Sequence, residues 1–177
     1  MSCDARSAIE DVGSAAVVAM TDRSYLFVPG NRPERFDKAC SAGSDVVLVD
    51  LEDAVAASDK PSARGAVSDW VTPAAPVYLR INGADTQWFD DDLRLLSQPG
   101  VCGVVLPKAE EPDAIAAVLR SLPSHLPVIP LIESARGLWN LIALASAPGV
   151  LRFAFGAADF QVDLGIEGDR EELLHAR

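Results

Sequence analysis

The chain has 177 residues, nearly half of them hydrophobic and few aromatic, with a formal net charge of −11. That length suits one domain with a sizeable core, and the Val, Leu and Ala content fits an α/β protein. The acidic balance argues against nucleic acid and anionic membranes as partners, because both call for a basic face. It leaves room for a small anionic substrate held by a few Arg residues or a metal.

Residues 1–22 read as an N-terminal extension. Its apolar run, Gly13 to Met20, is too short to span a membrane. Asp4, Glu10 and Asp11 precede it, which is wrong for the basic flank of a signal peptide. Cys3, Cys40 and Cys102 show no CxxC spacing, so reduced thiols and a cytoplasmic location are expected rather than a disulfide framework or a zinc site. The two histidines, His125 and His175, have no partner at metal-ligand spacing, and His125 falls in a loop pattern.

From residue 23 the chain repeats one pattern. The first apolar run, Tyr25 to Val28, leads into Asn31-Arg32-Pro33-Glu34, which predicts a helix capped by Asn31 with Pro in its first turn. Arg32 and Arg35 near that helix start suit a phosphate, or equally a solvated surface. The second run, Val46 to Val49, ends in Asp50-Leu51-Glu52-Asp53. Alternation directs Asp50 and Glu52 to one side, where they could support an Arg or a metal-bound water. Asp53 belongs to that cluster or caps the next segment. The third run, Val77 to Ile81, carries Arg80 at its end. Its planar fork suits a substrate carboxylate, and an ion pair with Glu52 or Glu133 fits as well.

The fourth run, Val101 to Leu106, is followed by Lys108, which balances these acids or pairs with Glu110 or Glu111. Glu111-Pro112-Asp113 opens a predicted helix, Ala114 to Leu119. The fifth run, Val128 to Ile132, ends in Glu133, and Ser134 to Gly137 opens a segment from Leu138 to Ser146. The sixth, Leu151 to Phe155, runs into Gly156-Ala157-Ala158-Asp159.

The runs start roughly 25 residues apart, about one βα unit, and are continuous, as parallel strands covered on both faces should be. No Gly-rich dinucleotide fingerprint follows the first strand. Polar residues instead close nearly every run, and a site built from many strand ends is how TIM barrels work. The expected fold is therefore a (β/α)₈ barrel over residues 23–177, truncated after its sixth unit. An apolar run ending in a lone carboxylate is costly unless the acid is paired or binds a cation. Glu133 and Asp159, from consecutive units, can reach one cation whose other positions take water and substrate oxygens, a magnesium-like arrangement. As single acids, each could also be a helix cap or an Arg partner.

Six motifs then carry a resemblance: Phe27 to Phe36, Asp50-Leu51-Glu52-Asp53-Ala54-Val55, Leu79-Arg80-Ile81-Asn82, Leu106-Pro107-Lys108, Leu131 to Gly137 and Phe155 to Asp159. In this order they resemble the citrate lyase beta subunit and its relatives, the HpcH/HpaI aldolase group of CoA-ester lyases. The resemblance implies a TIM barrel and an Mg²⁺-dependent carbon–carbon lyase that splits a citryl-CoA, malyl-CoA or citramalyl-CoA type ester into an acyl-CoA and a 2-oxo acid. It makes Glu133 and Asp159 the metal ligands, Arg80 the residue for the substrate carboxylate, and Glu133 a neighbour of the substrate. Arg32 and Lys108 join the substrate-binding set, and Glu52 and Asp53 are the candidates for proton transfer. A homo-oligomer is implied, with other lyase subunits as further partners. Two other readings stay open: an aldolase on free 4-hydroxy-2-oxo acids, and a truncated chain without activity of its own. The aldolase branch uses a His near the second strand, where this chain has Asp53.

Overall fold

The computed structural model describes residues 22–123 and 126–166. Residues 1–21 of the expected extension, with Cys3, and both His125 and His175 lie outside the described residues. Within them, no helix is long and apolar enough to cross a membrane.

Six parallel strands form one sheet in the order β1-β2-β3-β4-β5-β6. They are β1 Tyr25–Pro29, β2 Val46–Asp50, β3 Val77–Arg80, β4 Val101–Leu106, β5 Val128–Ile132 and β6 Ala154–Phe155. Each neighbour in space is the next strand in sequence, which is the order of a barrel and not of a doubly wound sheet with a switch point. The sheet is a curled half-barrel, with β1 and β6 as its edges.

The connections are helical. A 3₁₀ turn Pro33–Arg35 runs into α1 Phe36–Cys40, and α2 spans Lys60–Trp70. α3 covers Phe89–Leu93, α4 Pro112–Ser121, α5 Ala135–Trp139, α6 Leu141–Ala145 and α7 Ala157–Asp163. In α4, Pro112 sits in the first turn and Ile115, Val118 and Leu122 repeat at helical spacing, all buried against the sheet.

Strand alternation sorts the core into two layers. Val47, Val49, Val77, Leu79, Val104, Leu106, Val128 and Ile132 face the helices, with Ala63, Val67, Ile115 and Val118 packed on them. Val46, Leu48, Tyr78, Val105, Ile129 and Leu131 form a second cluster on the concave side. The register shift between Val77 and Tyr78 puts Tyr78 beside Gly103, whose missing side chain leaves room for the Tyr78 ring. One step further along the concave face, the same parity delivers Asp50, Arg80 and Glu133.

Two local expectations were overturned. Asn31 does not cap the first helix; Arg32 holds that position without a side-chain bond, and Asn31 Nδ2 donates instead to Asp59 Oδ2 at 3.2 Å. The segment after β5 is two short helices rather than one. The break falls at Asn140, whose Nδ2 donates to the Glu110 carbonyl at 2.8 Å and ties this turn to the loop after β4.

Candidate active site

Two groups of charged residues occupy the C-terminal ends of the strands. The first joins β2 and β3. Arg80 and Asp50 are paired in register, and Arg80 donates through Nε to Asp50 Oδ1 at 2.8 Å and through Nη2 to Oδ2 at 2.5 Å. This two-point bond holds the guanidinium plane fixed. Nη1 lies 3.0 Å from Glu52 Oε2 and 3.9 Å from Asp53 Oδ2. The guanidinium carbon also stands 5.3 Å from the ring centre of half-exposed Phe27.

Asp50 also accepts the main-chain N–H groups of Glu52 and Ala54, so the strand end and the following loop are one hydrogen-bonded unit. Glu52 is buried, and its Oε2 has no well-directed hydrogen-bond donor although Arg80 is within ion-pair distance. Burial pushes the Glu52 carboxyl up to about 7, opposed by Arg80 and reinforced by the charges of Asp53 and Glu133. Asp53 is largely exposed, its side chain 60% accessible.

The second group joins β5 and β6. Glu133, 4% exposed, directly follows β5. Its Oε1 accepts the Lys108 main-chain N–H at 2.7 Å. Lys108 reaches that position with φ +46°, the one left-handed non-glycine residue in the described backbone. The other oxygen, Oε2, lies against Gly156, where an added Cβ would sit 2.7 Å away. Gly156 is the residue before α7, and Asp159 lies in that helix's first turn. Burial raises the Glu133 carboxyl above its ordinary value, the Lys108 N–H opposes this, and the charge of Asp159 raises it again.

Glu133 thus combines burial with the nearby charge of Asp159, partly offset by the charges of Arg80 and Lys108, and neither acid has an ion pair among the described residues. That environment fits a cation. No cluster of three or more His, Cys, Asp or Glu side chains forms among the described residues. A divalent ion on Glu133 and Asp159 would therefore take its remaining oxygens from water and ligand, as magnesium commonly does.

The remaining sequence candidates lie as follows. Arg32 is a surface residue, half exposed and 3.7 Å from Glu34, outside the Arg80 hydrogen bonds. Lys108 is exposed, and its main chain rather than its ammonium holds Glu133. Glu110 and Glu111, suggested as Lys108 partners, turn to Ser134, Arg136 and Asn140 instead. Asp92 and Lys60 escaped the sequence reading. Asp92 is fully buried and accepts from Asn82 N and Nδ2 at 2.8 and 2.6 Å and from Arg64 at 3.1 Å. In sequence it is one of three consecutive Asp residues in a short helix, with nothing to mark it out.

A curled half-barrel of six parallel strands with charged residues gathered at its strand ends has the architecture of the TIM-barrel class. The chain belongs to the HpcH/HpaI aldolase/citrate lyase family, whose model matches residues 23–177. It is 38% identical over 170 residues to a citrate lyase subunit beta-like protein of Deinococcus radiodurans, covering 88% of this chain and 59% of that protein. To an L-malyl-CoA/beta-methylmalyl-CoA lyase of Cereibacter sphaeroides it is 35% identical over 170 residues, covering 84% and 52%. Among solved structures, a citrate lyase beta subunit from M. tuberculosis complexed with oxaloacetate and magnesium superposes with TM-score 0.76 at 34% identity, covering 89% of this chain and 71% of that one. The chain thus spans little more than half the length of these two curated relatives.

Proposed function

We propose that this chain carries the metal and oxo-acid site of an Mg²⁺-dependent carbon–carbon lyase acting on a β-hydroxyacyl-CoA ester of the citryl-, malyl- or citramalyl-CoA type. The observation that carries the reading is the buried Glu133 carboxylate, which feels both the charge of Asp159 and that of the clamped Arg80. The relatives' magnesium, oxaloacetate and CoA-ester chemistry supports it.

Glu133 and Asp159 would hold the cation, which when bound supplies Lewis-acid stabilisation of negative charge on the oxygens of the oxo-acid portion. Arg80, locked by Asp50, presents its outer N–H groups to the substrate carboxylate without having to reorganise. In the reaction the substrate hydroxyl loses its proton and its carbon becomes a carbonyl. The bond to the acyl α-carbon breaks, and that carbon keeps the electron pair and takes up a proton. Glu52, with a carboxyl that titrates near neutrality beside Arg80, is the better placed of the two proton-transfer candidates, because Asp53 is mostly in water. Copies of the same chain or further lyase subunits are the proposed partners.

Incubating the 177-residue chain with each of the three CoA esters, with Mg²⁺ or with EDTA, tests the proposal. Metal-dependent appearance of a 2-oxo acid together with an acyl-CoA is expected. Release of free CoA with the acid skeleton intact would mean thioester hydrolysis. Cleavage of a free 4-hydroxy-2-oxo acid in place of the esters would mean the aldolase reading. Absence of any turnover would remove the claim that this chain is a lyase by itself.

A further inference from the structure

Lys60 opens α2 and is the first residue of that helix's buried stripe, followed by Ala63 and Val67. An ammonium in such a place, 6% exposed, is costly unless its donors are fully used. Its Nζ donates to the main-chain carbonyls of Leu51 at 2.9 Å and Glu52 at 3.0 Å. It also stands 4.8 Å from the centre of the Trp88 ring. A second clamp meets it from the β3 side. Asn82 Nδ2 donates to the same Leu51 carbonyl at 3.0 Å and is itself held by Asp92, which Arg64 of α2 neutralises.

The two carbonyls that Lys60 grips flank the Cα of Glu52. The charges of Asp92, Glu52, Asp50 and Asp53 all act on this ammonium, yet it makes no ion pair within 4 Å among the described residues. It spends its donors on the backbone that aims Glu52 at Arg80. The donor geometry is what a loop needs when its carboxylate must stay buried beside a guanidinium with no well-directed hydrogen bond of its own.

We infer that Lys60 is a positioning residue, fixing the loop after β2 so that the Glu52 carboxylate meets Arg80 in the oxo-acid site. The inference rests on the proposed function, since it concerns the same site. It adds a residue from outside that site, and Asn82, Asp92 and Arg64 are the supports of the same loop.

A double-mutant cycle tests it, using Mg²⁺ alone and Mg²⁺ with oxaloacetate as titrants of the 177-residue chain. Lys60→Met is expected to leave Mg²⁺ affinity within twofold and to weaken oxaloacetate by about tenfold. In a Glu52→Gln background the same Lys60→Met change is expected to have no further effect on oxaloacetate, because its influence runs through Glu52. A merely structural lysine would instead weaken both titrants, or act equally in both backgrounds, and either result overturns the inference. Unchanged oxaloacetate affinity in Lys60→Met, with wild-type chain binding normally, overturns it while leaving the lyase reading intact. Failure of the wild-type chain to bind oxaloacetate at all sinks both. Should Lys60→Met not fold, Lys60→Gln, which keeps one N–H donor without the charge, is taken through the same cycle, with a loss of a few-fold expected in the wild-type background and none in the Glu52→Gln one.

Discussion

The β2–β3 end and the β5–β6 end of the sheet are both acidic, yet they are built on opposite principles. At β2–β3 the acids surround a guanidinium: Asp50 takes two hydrogen bonds from Arg80, and Glu52 and Asp53 stand within 4 Å of Nη1. At β5–β6, Glu133 feels the charge of Asp159, neither acid has an ion pair among the described residues, and Glu133 accepts a main-chain N–H from Lys108. The chain itself supplies the positive charge at the first end; at the second, the proposed function has a cation supply it. Removing Asp50 and removing Glu133 should therefore have opposite signs.

The largest effect is expected at the β2–β3 end. Asp50→Asn leaves Arg80, only 13% exposed, without its two-point partner and should cost about 3 kcal/mol of stability. Urea unfolding measures it, and a loss below about 0.5 kcal/mol would show that Glu52 and Asp53 carry the guanidinium unaided. At the β5–β6 end, Glu133→Gln should raise the metal-free melting temperature at pH 8 by about 2–4 °C, since it deletes one of two repelling charges and keeps an acceptor for Lys108. A fall in melting temperature would mean that the two ends are alike.

Glu52 sharpens the contrast through pH. Its carboxyl is raised to about 7 by burial, so the folded chain holds a proton that the unfolded chain releases near its ordinary value of 4.5. Stability from this group is present below 4.5 and is lost as pH rises through 7. The melting temperature of Glu52→Gln relative to wild type should therefore climb between pH 5 and pH 8, by about 2–6 °C. A flat difference would place the proton elsewhere. The smallest effect is expected at Lys108, whose side chain is exposed and whose backbone does the work. Lys108→Gly relieves the positive φ, keeps the N–H to Glu133, and should change stability by no more than about 1 kcal/mol.

The same contrast explains what could be read from sequence. Glu133 and Arg80 are visible because each charge closes an apolar run, where burial makes it conspicuous, and Asp159 because it is the lone acid after the sixth run; strand parity carries Asp50, Arg80 and Glu133 to one face. All six strands fall on the apolar runs, although β6 takes only Ala154–Phe155 of the run from Leu151 to Phe155. The hidden parts are those whose meaning depends on distant partners. Lys60 looks like a helix-start surface charge until Leu51, Glu52 and Trp88 surround it. Asp92 is indistinguishable from Asp90 and Asp91 until Asn82 and Arg64 select it. Asn31 and Asn140 were misread or unread because an amide serves as a local cap or a long-range tie with equal ease, and only packing decides.

Titration of the 177-residue chain with Mn²⁺, as a reporter for Mg²⁺, bears most directly on the claim that the β5–β6 end awaits a cation. One ion per chain is predicted, with affinity falling at least about tenfold in both Glu133→Gln and Asp159→Asn and unchanged in Lys108→Gly. Equal affinity in wild type and in both acid variants would contradict the account.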